Sequence, residues 1–210
     1  RTYLAKNASH AALAGSLVDD FPDARFIACL RDPAEVVSSQ LSSLGPGLRA
    51  LHGHIHQDEL TRRMLAQLQF GYRNLLSVLP ARAPARSVFL PLGAQRQGLA
   101  PAIRQVYAHL ALPLEGHFAE RLAALDARAR AHRSSHRHAL ADYGLDSAQV
   151  ADAFADIRAA FDFAATEAVP ASACPALTHR LRVVVVSDAA PQRNGVGTYY
   201  SDLLAHLEGR

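Results

Sequence analysis

Apolar residues recur at helical spacing over residues 11–20, "AALAGSLVDD", and after Phe21-Pro22-Asp23 a short apolar run at 25–30 has strand length. Pro33 then stands at a first helical position, and Glu35, Val36, Val37 and Leu41 continue a helix predicted to stop at "SSLGPG". Over residues 58–79, Leu60, Met64, Leu65, Leu68, Tyr72, Leu75, Leu76 and Leu79 form one broad stripe behind an acidic start, which predicts a long amphipathic helix. A β-branched and aromatic run at 87–90 predicts a second strand, followed by helices over about 99–110 and 118–131. Asp146-Ser147 caps a last helix over 148–163. Small residues and two prolines at 164–179 read as a linker. Beyond it, Val183 to Val186 is a continuous β-branched run of the kind buried on both faces of a parallel sheet, and a glycine-containing loop and an amphipathic helix follow.

The alternation of helices and strands predicts an α/β protein. At 210 residues, 50% hydrophobic and 20% charged, the composition is that of a globular chain with one full core. The net charge of +3 carries little information about nucleic acid, because 21 of the 22 cations are arginine and an arginine- and alanine-rich chain also follows from a GC-rich genome; the run of Arg128, Arg130, Arg133 and Arg137 lacks interleaved aromatics, so no nucleic-acid partner is expected. Cys29 and Cys174 lie far apart, one within an apolar strand and one in the linker, so a reducing, cytoplasmic compartment is expected. No apolar run approaches the ~18 residues of a membrane span, and no secretory signal opens the chain. The chain starts at Arg1 already in patterned sequence, which suggests a fragment lacking an upstream part.

The chemistry concentrates where the strand at 25–30 meets the next helix. Arg31 is a permanent cation at the strand end, and Asp32 and Pro33 are suited to cap and start the helix. In parallel α/β sheets, anions bind outside the carboxyl ends of strands, at helix N-termini. The Arg31 guanidinium can hold a phosphate bidentately, and Ser39, two helical turns on, can bring a hydroxyl to the same anion. The alternative is that Arg31 pairs with Asp32, Glu35 or a distant carboxylate.

"KNASH" (6–10), "FPDARFIACLRDPAEVVSSQL" (21–41), "QVYAHLALPL" (105–114) and "HRSSHRHALADYGLDSAQVADAFADI" (132–157) occur in the order seen in bacterial sulfotransferases, and over about residues 1–165 the chain resembles that family. The resemblance implies a P-loop-like fold, an incomplete parallel sheet flanked by helices, that uses 3′-phosphoadenosine 5′-phosphosulfate (PAPS) to sulfate a hydroxyl or amine acceptor. It carries the 3′-phosphate contacts onto Arg31 and Ser39, with Ser38 out of register. Arg133, His136 and Arg137 are similar to the loop that closes over the nucleotide, although the family often has tyrosine where His138 stands. Lys6 to His10 resembles the family's Lys-x-Pro-x-His, with Ala8 replacing proline. By this analogy His10 is the base for the acceptor proton and Lys6 stabilises charge on the departing phosphate. The bland alternative for His10 is a helix cap or surface residue. Two departures stand beside these matches: "LPLGAQRQG" replaces the family's Glu-Asp-Leu, and the Gly- and Ser/Thr-containing loop for the 5′-phosphosulfate is absent, so these residues alone are expected not to catalyse.

The tail "RVVVVSDAAPQRNGVGTYYSDLLAHL" resembles the first strand, glycine loop and helix of a two-Rossmann-domain (GT-B type) glycosyltransferase, with Asn194, Gly195 and Gly197 in the loop. The implied organisation is a sulfotransferase portion at 1–165, a linker at 166–180 and the start of a glycosyltransferase at 181–210, in a protein adding sulfate and sugar to glycans. The alternative places this strand and helix in the first domain.

His52, His54 and His56 share a face only if extended and have no carboxylate or cysteine at a recognised spacing, so no metal is expected and acceptor contact is the favoured role. The readings that stand are a sulfotransferase, a non-catalytic nucleotide-binding or interaction module preceding a glycosyltransferase and, more weakly, a kinase-like phosphoryl transferase.

Overall fold

The computed structural model describes residues 3–51, 56–131, 139–170 and 182–187. Its frame is a five-stranded sheet in the order β1-β5-β2-β3-β4, formed by β1 (Tyr3–Lys6), β2 (Ala24–Leu30), β3 (Ser87–Pro91), β4 (Val169–Pro170) and β5 (Arg182–Ser187). All pairings are parallel except the short β3–β4 contact.

β2 is buried along its whole length, as its apolar run predicts. Its side chains alternate between two cores. Phe26, Ala28 and Leu30 face a cluster with Val37, Leu41, Tyr72, Leu75 and Leu79, supplied by α2 (Pro33–Leu51) and α3 (Gln57–Arg82). Ile27 and Cys29 face Val106, Leu110, Phe118 and Leu122, supplied by α5 (Leu99–His109) with the residue after it and by α6 (Gly116–Ala131). Leu4 of β1 belongs to the second face. Cys29 is thus a packed apolar residue, 3% exposed.

Several local signals yield to packing. α2 does not stop at the glycine–proline run but continues to Leu51 with Pro46 inside it. The buried stripe of Val37 and Leu41 extends to Gly45, so the helix face outweighs the hydrogen bond that proline cannot make. The helix expected at 148–163 is two, α7 (Ser147–Ala153) and α8 (Ala155–Ala160). Phe154 sits between them, fully buried and edge-on to Tyr72 with ring centroids 6.1 Å apart. Asp146 caps α7 as expected, accepting a hydrogen bond from the Gln149 N–H at 2.7 Å.

The expected linker at 166–180 is folded as far as the description reaches. Ala168 is buried, its N–H donates to Gln105 Oε1 at 2.9 Å, and Val169 pairs with Phe89. Gly93 explains how the chain comes so close: a Cβ there would lie 2.8 Å from the Ala165 carbonyl oxygen. Gly93→Ala is therefore expected to lower stability by about 1–3 kcal/mol, read from the urea midpoint. An unchanged midpoint would mean that 164–170 does not pack there.

β5 is the larger departure. A strand assigned from sequence to a separate domain lies inside this sheet, parallel to both neighbours, with Val183 opposite Leu4 on one side and Arg25 on the other. Among the described strands, β1 and β2 are joined only through it. A continuous β-branched run suits a central strand of a parallel sheet, and that is the place β5 takes between β1 and β2.

Candidate functional site

β1, β5 and β2 run parallel and end toward the same side of the sheet, with the last residue of β1 level with Val185 and Ile27, three residues short of the end of β2. Strand spacing puts β1 and β2 about 10 Å apart across β5. Lys6 is the last residue of β1, opposite Val185, and two residues from Leu4 it shares that residue's face. Burial pushes its ammonium below the ordinary lysine value, while the nearby Cys29 pulls the other way.

After Lys6 the chain turns into a short 3₁₀ helix, Ala8–Ala11. Asn7 caps it, its side-chain oxygen accepting from the Ser9 N–H at 2.9 Å. This brings His10 back toward the sheet, half-buried, with Nδ1 enclosed and no hydrogen-bond partner among the described residues. Burial holds the imidazole below its ordinary pKa, so it is neutral at physiological pH.

Arg31 follows β2 directly, and its carbonyl accepts a 2.7 Å hydrogen bond from the buried Tyr72 hydroxyl. Asp32 caps α2 through the Ala34 N–H at 2.8 Å, as its position predicts. Both Asp32 oxygens also accept from Arg158 of α8, at 2.6 and 2.8 Å. The Arg31 guanidinium donates to Glu35 Oε2 at 3.3 Å, so of the ion pairs considered from sequence the one with Glu35 forms. Glu35 and Ser39 are four apart on α2 and share a helical stripe, whereas Ser38 is 8% exposed and turns inward.

Sequence reasoning missed Arg96, on α4 (Leu92–Gln97) just past the end of β3. It grips Glu35 bidentately, with both N–O distances at 3.0 Å. Its only sequence signal was that a cation stood where an acidic motif was expected. Arg158 gave none. Arg133, His136, Arg137, Asn194, Gly195 and Gly197 lie outside the described residues, as do His52 and His54. Among the described residues no three His, Cys, Asp or Glu side chains gather as metal ligands, and no helix is long and apolar enough to cross a membrane.

The site thus holds an arginine at the end of β2 beside a capped helix, a lysine at the end of β1 and a neutral histidine just after it. The sequence model of the sulfotransferase family matches residues 1–116. The chain belongs to the sulfotransferase family. No curated protein and no solved structure matches it. The matched part of this sulfotransferase runs from β1 to the start of α6, and so holds Lys6, His10, Arg31, Glu35, Ser39 and Arg96. Membership makes its chemistry sulfuryl transfer between a small-molecule donor and an acceptor.

Proposed function

We propose that this sulfotransferase takes its sulfuryl group from PAPS and passes it to a hydroxyl or amine acceptor. The observation that carries the reading is the placement of Arg31 at the carboxyl end of β2, at the N-terminus of α2, in line with the helical stripe of Ser39. In this reading Arg31 and Ser39 hold the 3′-phosphate, and Arg133, His136 and Arg137 close over the nucleotide. The donor fits what the described residues offer: a planar cation for phosphate and an enclosed imidazole nitrogen without a partner.

His10 takes the proton of the attacking acceptor, whose oxygen or nitrogen forms the new bond to sulfur. The bond from sulfur to the bridging oxygen breaks, its electron pair stays on the 5′-phosphate, and 3′-phosphoadenosine 5′-phosphate leaves. Lys6 neutralises the charge that grows on that oxygen. The half-buried settings of both residues suit these roles, since each is held in a partly desolvated place where a charge matters more than in water.

Calorimetry with 3′-phosphoadenosine 5′-phosphate tests the phosphate site. Arg31→Ala is expected to weaken binding by about 1.5–3 kcal/mol, the range for a charge-assisted hydrogen bond, and Ser39→Ala by about 1 kcal/mol. Unchanged affinity in the arginine variant would remove the assignment. Nucleotide binding with no turnover on any acceptor would instead favour a non-catalytic module.

The finer reading of the tail as a glycosyltransferase opening, with a glycan as the acceptor, rests on the sequence pattern around Asn194 to Gly197. The pairing of β5 with β1 and β2 favours the other assignment, in which residues 182–187 complete the sulfotransferase sheet.

A further inference from the structure

Two carboxylates stand next to Arg31 in sequence, Asp32 and Glu35, and either one alone would cancel its charge. Each is answered by an arginine brought from far along the chain. Arg158, 126 residues away, takes both oxygens of Asp32. Arg96, 61 residues away, takes both oxygens of Glu35. Arg31 itself meets Glu35 through one longer contact of 3.3 Å. Burial pushes the Glu35 carboxyl up, but Arg96 and then Arg31 outweigh it and hold the group below its ordinary pKa, so it stays ionised. Within this cluster three arginines face two carboxylates.

We propose that Arg96 is a positioning residue for the donor nucleotide: by neutralising Glu35 it keeps the Arg31 guanidinium net positive toward a phosphate. The proposal rests on the reading of Arg31 as a phosphate ligand. If Arg96 is removed, Glu35 turns its full charge on Arg31 and on any phosphate beside it. Arg96 lies on the surface, 61% exposed at its side chain, so its loss leaves the core intact.

The test is calorimetric binding of 3′-phosphoadenosine 5′-phosphate to the whole chain at fixed low ionic strength. Arg96→Met is expected to weaken affinity about tenfold, the order of one unscreened carboxylate near a phosphate. Adding Glu35→Gln to Arg96→Met should restore affinity to within about threefold of wild type. Glu35→Gln alone should bind as well as wild type or more tightly. A purely structural role for Arg96 would leave the double variant as weak as the single one, and that result overturns the proposal, as does weaker binding by Glu35→Gln alone. If Arg31→Ala loses affinity while Arg96→Met does not, the phosphate site stands and the charge-setting role falls. If Arg31→Ala binds like wild type, the reading beneath both is lost.

Discussion

His10→Ala in the intact enzyme will lower turnover by about a hundredfold or more while leaving affinity for 3′-phosphoadenosine 5′-phosphate nearly unchanged, because a general base acts only on the proton that moves. The pH profile carries the sharper signature. Burial lowers the His10 pKa, so the base form persists to below the ordinary imidazole value, and with His10 as the proposed base the rate is expected to fall as pH drops through that lowered pKa. Removing His10 should abolish this acidic limb. In its proposed role Lys6 works in the opposite sense: it would act when charged, and burial lowers its pKa, so its help is expected to be lost as pH rises through a value below that of an ordinary lysine. Lys6→Ala should lower the plateau and keep the acidic limb. Wild-type turnover in His10→Ala would return that histidine to a structural part and move the search for the base to the segment around His52–His56.

Deleting residues 171–210 is expected to abolish cooperative folding of the remainder, or to cut its stability to a small residue. β5 pairs with β2 over six positions, Ala24↔Arg182 to Cys29↔Ser187, and with β1 over four. Without it, one edge of the fully buried β2 loses its ladder, at about 1–3 kcal/mol for each buried backbone group left unpaired. A few such groups already match the roughly 5–15 kcal/mol of net stability of an ordinary domain. Thermal and urea unfolding by circular dichroism measure the effect. A chain of residues 1–170 that unfolds cooperatively at the wild-type midpoint would give 182–187 back to a separate unit.

What could be read from the sequence was local. The strand before Arg31, the cap at Asp32 and the amphipathic stripe of α3 each follow from residues within a turn or two of one another, and the structure has them. β1 escaped notice because its four residues are too few to show a period. α4 escaped for the same reason, and with it the meeting of Arg96 and Glu35, which no spacing along the chain encodes. The valine run at 183–186 did announce a strand buried on both faces of a parallel sheet, but a pattern cannot say which sheet receives it. The site divided along the same line. Arg31 and its helix were legible, whereas the two arginines that balance its acidic neighbours came from tertiary packing.

The place of β5 also dictates an order of events during synthesis. A ribosome delivers β1, β2 and β3 long before residues 182–187, yet the interior of the sheet stays open until β5 emerges. At about 5–20 residues per second, the 150 or so residues between β2 and β5 correspond to roughly eight to thirty seconds with strand edges uncovered. Closing the sheet then requires a contact of very long sequence separation, which is the slow kind. The nascent chain is therefore expected to be a chaperone client late in its synthesis, and most prone to aggregate when translation halts between β4 and β5.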